Sequence, residues 1–297
     1  MPPSQSNGRA ILSIVAAMGL FVANDGFLKM ASATLPVSEA VALRGFFASL
    51  GLFVLMAWRG ELGFVAGMLR PLIGLRGVIE FAGAFVFISA LPFNSLANLT
   101  ALQQIVPLLM TGFAVLFLRE RVAPGRMVAV LAGFAGALMI AQPDASGFSL
   151  GSLAALFTAF AVCARDLIAR GMLGGVNALA LAFITALIVF ICTLVLAAIG
   201  GFTGWVAPSA LRLAQCAGAG LFVGFAHLAI VLAMRQSEVR IVAPFYYSQT
   251  LFGLIYSWFV FDDRPNGLAL AGMALIVGAG LYVVTGSREP PHELAAG

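Results

Sequence analysis

Ala23-Asn24-Asp25-Gly26-Phe27-Leu28-Lys29 sits inside a long apolar stretch, and Ala164-Arg165-Asp166-Leu167-Ile168-Ala169-Arg170 repeats its charge pattern in the second half of the chain. An acid and a base four residues apart lie on one face of a helix, one turn from each other. The step from Asp25 to Asp166 is close to half the length of the 297-residue chain. A charged turn used twice in so apolar a chain points to a membrane protein built from two similar halves around a functional interior.

The surrounding composition supports the membrane reading. Hydrophobic residues make up 62% of the chain and charged residues 9%, against about 25% charged in soluble domains; mean hydropathy is +1.05. Apolar stretches of about 20 residues recur, each long enough to cross a bilayer as a helix. The 33 glycines suit close helix–helix approach in lipid. A net charge of +4 without a basic run excludes a nucleic-acid partner. Cys163, Cys192 and Cys216 lack metal-ligand spacing and read as packing residues, so no metal or other cofactor is expected.

Ten spans are predicted near 10–31, 36–57, 71–91, 94–117, 124–141, 148–169, 177–199, 210–233, 238–261 and 265–285. The fold class is therefore all-α, a polytopic membrane protein. Arg9 precedes the first stretch as in a signal peptide, but the stretch is too long and carries Asp25 and Lys29, which favours an uncleaved span. With both termini on one side, that side holds twelve basic residues, Arg76 and Arg165 among them. The other side holds Lys29, Arg212 and Arg264. The positive-inside rule then places both termini in the cytoplasm.

A second correspondence joins the halves. Span four ends Leu118-Arg119-Glu120-Arg121 and span nine ends Asp262-Asp263-Arg264, and a glycine-rich span follows each. The step from Glu120 to Asp263 nearly equals the step from Asp25 to Asp166. The first repeat is placed at 1–143 and the second at 144–286, with 287–297 as a polar cytoplasmic tail. Five spans is an odd number, so the ten helices form two inverted five-helix repeats, a recurring architecture of secondary transporters.

The Leu118–Arg121 transition, Pro107 before it and the glycine-rich span after it resemble the drug/metabolite transporter superfamily, in particular its EamA-type ten-helix transporters, over residues 10–285. Ala23-Asn24-Asp25 with Lys29, Arg44-Gly45-Phe46-Phe47 and Ala243-Pro244-Phe245-Tyr246-Tyr247 resemble a bacterial branch of S-adenosylmethionine-uptake-like and riboflavin-transporter-like proteins. The resemblance implies alternating access in a bacterial inner membrane without ATP hydrolysis by the chain. Glu80 departs from that branch, where an apolar residue is expected.

Charges inside spans are costly and face an interior, a partner or water. Asp25, Lys29 and Arg44 form either a structural salt-bridge cluster or an outer gate that meets a substrate anion. Glu80, expected near mid-bilayer, either pairs with Arg44 or Lys29, or serves function by binding a coupling proton or a substrate cation. His227 is either a packing residue or a ligand. Tyr246 and Tyr247 point to different sides, so one of them is expected to join Gln249 in stacking and hydrogen bonding to a planar solute. Gln103 and Gln104 of span four lie at the pseudo-equivalent depth and either line the site or hydrogen-bond between helices. The site is expected between spans three, four, eight and nine, with spans one and six as moving walls. Asp166 and Arg170 read as an inner gate or an interfacial pair.

These features favour a secondary transporter of a small organic metabolite, amino-acid-derived, S-adenosylmethionine-like or riboflavin-like, with proton coupling open. An exporter of amino acids or drugs is the alternative. A membrane enzyme is disfavoured, since His227 and His292 are the two histidines and no catalytic constellation is apparent. The expected partners are the lipid bilayer and a small-molecule substrate, with the chain a monomer or homodimer. A fluorescent protein fused to the C-terminus should fold and fluoresce in the cytoplasm, whereas a periplasm-dependent phosphatase fused there should stay inactive; phosphatase activity would reverse the topology.

Overall fold

The computed structural model describes residues 3–32, 34–68, 70–90, 103–116, 123–141, 150–171, 176–261 and 266–286. Its helices are α1 (Pro3–Ser32), α2 (Val37–Trp58), α3 (Pro71–Ala90), α4 (Val106–Leu116), α5 (Pro124–Ala141), α6 (Leu150–Gly171), α7 (Ala178–Ile199), α8 (Ala210–Gln236), α9 (Val239–Val242), α10 (Ser248–Phe261) and α11 (Gly267–Gly286). No strand occurs among the described residues. The first half of span four, the Leu118–Arg121 and Asp262–Arg264 motifs, the Gln142–Gly147 connection, His292 and the 287–297 tail lie outside the described residues.

Among the described residues five helices are long and apolar enough to cross a bilayer: Asn7–Ser32, Val37–Trp58, Pro71–Ala90, Ala178–Ile199 and Ala210–Gln236. Pro124–Met139 and Gly267–Tyr282 are shorter apolar helices. Large apolar side chains such as Leu12, Phe53, Val128, Leu153 and Phe259 point outward, as a bundle solvated by hydrocarbon requires.

Three spans depart from the limits read from hydropathy. The first helix starts at Pro3 rather than near residue 10. The polar turn that carries it there is tied down where the Ser237 hydroxyl donates to Asn7 Oδ1 at 2.9 Å, an extension that hydrophobic periodicity cannot register. The ninth span is broken into α9, a 3₁₀ turn at Ala243–Tyr247 and α10. Pro244 supplies no N–H at the start of that turn, so the regular ladder cannot run through it. In the described part of span four, α4 begins at Val106, with Pro107 in its first turn.

Packing repeats between the halves. Helix α1 lies along α8, and its counterpart α6 lies along α3. Helix α2 packs on α7 and α8, α3 packs on α7, and α5 packs on α11. Exchanging each first-half span with the span five further on maps the α1–α8 contact onto the α6–α3 contact. Glycines permit the closest approaches. A methyl group at Gly220 of α8 would lie 2.5 Å from the Arg44 carbonyl oxygen and 2.8 Å from the Ala48 nitrogen. At Gly77 of α3, the counterpart of Gly220 in the first half, a methyl group would lie 2.6 Å from the Ile188 side chain of α7.

Gly220→Val should push α8 off the α2 backbone and lower stability by about 1–3 kcal/mol, read as a fall in the melting temperature of detergent-solubilised protein. Gly253→Ala, where nothing lies within 4 Å, should leave the melting temperature unchanged or raise it.

Candidate functional site

Three mid-helix ionisable side chains converge in the bundle interior. Glu80 comes from α3, Arg165 and Asp166 come from α6, and their relative exposures are 7%, 5% and 0%. The Arg165 guanidinium pairs with Glu80 through Nη1 and with Asp166 Oδ1 through Nε at 3.2 Å. Asp166 Oδ2 accepts a 2.7 Å hydrogen bond from the Tyr246 hydroxyl. Glu80 Oε1 lies 3.2 Å from His227 Nε2 of α8. The chain His227–Glu80–Arg165–Asp166–Tyr246 thus links α8, α3, α6 and the broken ninth span. In a low-dielectric interior such groups are tolerated only when paired.

Arg76 supports this chain from behind. Wholly buried on α3, it donates through Nε to the Arg165 carbonyl oxygen at 3.2 Å and through Nη1 to the Thr185 hydroxyl of α7. The Thr158 hydroxyl donates to the Gly83 carbonyl oxygen at 3.2 Å, a second tie between α3 and α6. Phe21 of α1 lies beneath the Arg165 guanidinium, 5.5 Å from ring centroid to Cζ, and meets the His227 ring edge-on at 5.4 Å.

Above this chain a cavity of about 110 Å³ opens. Its walls include Asp25, Arg44, Gln103, Gln104, Phe87 and Gln249, and its floor includes Glu80, Arg165 and Tyr246. Helices α1, α2 and α6 line the cavity alongside spans three, four, eight and nine, and of these α2 is the one not expected as a wall. Of the residues singled out in the sequence, Asp25, Arg44, Glu80, Gln103, Gln104, Tyr246 and Gln249 are brought together here.

Four others stand elsewhere. Tyr247 turns away from the cavity and packs with Ala137 and Ile276, its ring over Gly133. A 3₁₀ turn rotates about 120° per residue, so one of two adjacent tyrosines faces inward, and it is Tyr246. His227 stands behind Glu80 rather than in the cavity wall. Lys29 is exposed on α1 and does not line the cavity. Arg170 donates to the Met234 and Ser237 carbonyl oxygens at 2.9 and 2.8 Å, tying the end of α6 to the end of α8.

Glu80 takes Arg165 and His227 as partners instead of Arg44 or Lys29. Asp166 joins the buried chain, whereas an interfacial pair would have left it at the membrane surface. Arg165 and Arg76 are the residues that the sequence reading passed over, both having been assigned to the cytoplasmic border by their closeness to span ends. The signal available for Arg165 was its place in the repeated turn. Asn24 and Arg165 each precede the repeated aspartate, and Asn24 Nδ2 donates to Asp25 Oδ1 at 2.9 Å much as Arg165 binds Asp166. Cys163, Cys192 and Cys216 are free thiols within the packing.

Comparison with known proteins gives this cavity its setting. The EamA-like transporter family model matches residues 8–142 and again residues 149–285. The S-adenosylmethionine uptake transporter of Rickettsia bellii is 23% identical over 283 residues, covering 95% of this chain and 94% of its own. The riboflavin transporter of Rhizobium johnstonii is 28% identical over 209 residues, covering 70% and 68%. The pseudopaline exporter of Pseudomonas aeruginosa is 28% identical over 276 residues, covering 90% and 93%. A protein crystal structure superposes with a TM-score of 0.80 at 20% identity over 94% of this chain and 97% of the other, so the two share a fold. With the family model matched twice along an all-helical chain that bears a central charged cavity, the protein is a membrane transporter, not an enzyme, and belongs to the EamA-like transporter family.

Proposed function

We propose that the chain is a secondary transporter that carries a small organic metabolite across the bacterial inner membrane by alternating access, with both termini cytoplasmic. The observation that carries this reading is a polar, aromatic-lined cavity that ends on a paired-charge floor in the middle of the bundle. Arg76 and Arg165 are interior residues rather than loop cations. Setting them aside lowers the cytoplasmic count from twelve to ten, against three, and the orientation stands.

In that orientation the cavity lies in the periplasmic half. Asp25 and Phe87 line it from the second halves of α1 and α3 and Arg44 from the first third of α2, while Arg165 and Tyr246 form its floor. The cytoplasmic half is drawn shut by Asp166–Tyr246 and by Arg170 on the ends of α8. This is an outward-facing arrangement in which the Glu80–Arg165–Asp166–Tyr246 chain is the inner latch. The repeat relation assigns the reciprocal latch. Asp166 corresponds to Asp25 and Tyr246 to Gln103 when the second half is laid on the first, so α1 closes on the start of span four when α6 swings away.

Glu80 is the proposed proton site. The charged and titratable groups around it are Arg165 and Asp166 on α6, Arg76 on α3, Arg44 on α2, His227 on α8 and Tyr246. Protonation removes the charge that holds Arg165 to α3, so proton uptake and release of α6 are one event. Export is the second reading, favoured by the full-length similarity to a pseudopaline exporter.

Cells that express the chain should take up or extrude at least one solute of a metabolite panel, and correctly inserted protein that moves none would overturn the transporter mechanism. Arg165→Ala leaves Glu80 and Asp166 buried without their cation, a loss of about 3–5 kcal/mol for a broken buried pair. It should abolish transport and lower the melting temperature. Glu80→Gln should retain flux but lose its pH dependence; an unchanged pH profile would remove Glu80 from coupling.

A further inference from the structure

We propose that the cavity selects a net-neutral zwitterion, its carboxylate held by the Arg44 guanidinium and its cationic group by the Asp25 carboxylate. This specificity rests on the transporter reading and deepens it. Three guanidiniums, Arg44, Arg76 and Arg165, face three carboxylates, Asp25, Glu80 and Asp166, in and around one cavity. Four of the six are committed to protein partners. Arg165 bridges Glu80 and Asp166, and Arg76 is bound to the Arg165 carbonyl oxygen and Thr185.

Arg44 and Asp25 are the remaining two. Arg44 is 6% exposed on α2, and its guanidinium lines the cavity. Among the described residues it forms neither a hydrogen bond nor an ion pair, although its charge interacts with those of Glu80 and Asp25. A guanidinium offers five donors in a planar fork that matches a carboxylate. Leaving that fork without an acceptor on a side chain so deeply buried is costly unless water or a ligand fills it. Asp25, on neighbouring α1, lines the same cavity and is bonded on Oδ1 by Asn24. It keeps an accessible face and stops short of an ion pair with Arg44.

Two opposite charges held apart at one cavity wall need a ligand that brings one of each. A ligand with carboxylate alone would bind Arg44 and confront Asp25 and Glu80, and one with a cation alone would bind Asp25 and confront Arg44. Either leaves a net charge to be carried through a low-dielectric path. A zwitterion satisfies both and adds no net charge to the site. The body of such a solute would lie against Phe21 and Phe87, which line the same cavity.

The test is a charge-matched set of probes on purified protein, read as thermal stabilisation and as flux in proteoliposomes. The set comprises free amino acids with aromatic and thioether side chains, their methyl esters, their N-acetyl derivatives, and neutral riboflavin. Free amino acids should stabilise the protein and move, and esterification or acetylation should weaken the response by about ten- to a hundredfold. Arg44→Gln should erase the preference for acid over ester while keeping the preference for free amine over N-acetyl. Asp25→Asn should do the reverse. Equal response to an amino acid and its ester, or an acid-over-ester preference that survives Arg44→Gln, would overturn the inference. Flux of riboflavin with no response to any zwitterion would also overturn it while leaving the transporter reading intact. No flux of any probe would overturn both.

Discussion

The structure depends on one guanidinium. Arg165 holds Glu80 on one side and Asp166 on the other, with all three withdrawn from solvent. Two carboxylates this close in a low-dielectric bundle repel each other strongly unless a cation stands between them. That cation joins α6 to α3, and Asp166 then fixes Tyr246 at the broken ninth span. Arg76 and Thr158 hold the same two helices together by backbone carbonyls. The floor of the cavity is therefore a polar joint, whose cohesion can be altered by a proton or a competing charge in a way that apolar packing cannot.

The two halves use related parts differently. The Asn24-Asp25 turn of α1 borders the cavity, while the Arg165-Asp166 turn of α6 is buried beneath it. Equivalent helices thus occupy an open and a closed setting within one structure. Around them the glycine contacts at Gly77 and Gly220 keep α3 against α7 and α8 against α2. The helices that carry the charged turns, α1 and α6, are the partners of α8 and α3 respectively. Motion of α6 along α3 would break the Glu80–Arg165 link without disturbing those glycine contacts.

Much of the fold was legible because a bilayer demands it. Runs of about 20 apolar residues between short polar connections leave few alternatives to spanning helices, and the helix limits at α2, α3, α5, α7 and α11 lie close to those read from hydropathy. Pro244 marked the break in span nine because proline cannot continue the ladder. Asp25, Arg44, Glu80, Gln103, Gln104, Tyr246 and Gln249 were identifiable for the same reason: a polar group inside an apolar run needs a purpose. Arg76 and Arg165 were not, since a cation near a span end is ordinarily explained by the interface, and their depth depends on where the helix sits in the bundle. Tyr247 carries the right chemistry on the wrong side of its turn, and Lys29 lies one turn beyond Asp25 in the last turn of α1, outside the cavity.

The amino-acid sequence by itself determined the class of molecule, the duplication and the set of charges that must be satisfied inside it. Composition and local propensity act along the chain, and both are readable one residue at a time. Only the tertiary structure decided which charge meets which. Glu80 and Arg165 are 85 residues apart, and Tyr246 lies a further 80 beyond Asp166. Pairing over such distances is selected by helix packing, where the glycine contacts and the proline break set the rotation of each helix. That rotation turned Arg165 inward, sent Tyr247 to the opposite side of its turn, and left Arg44 and Asp25 facing the cavity.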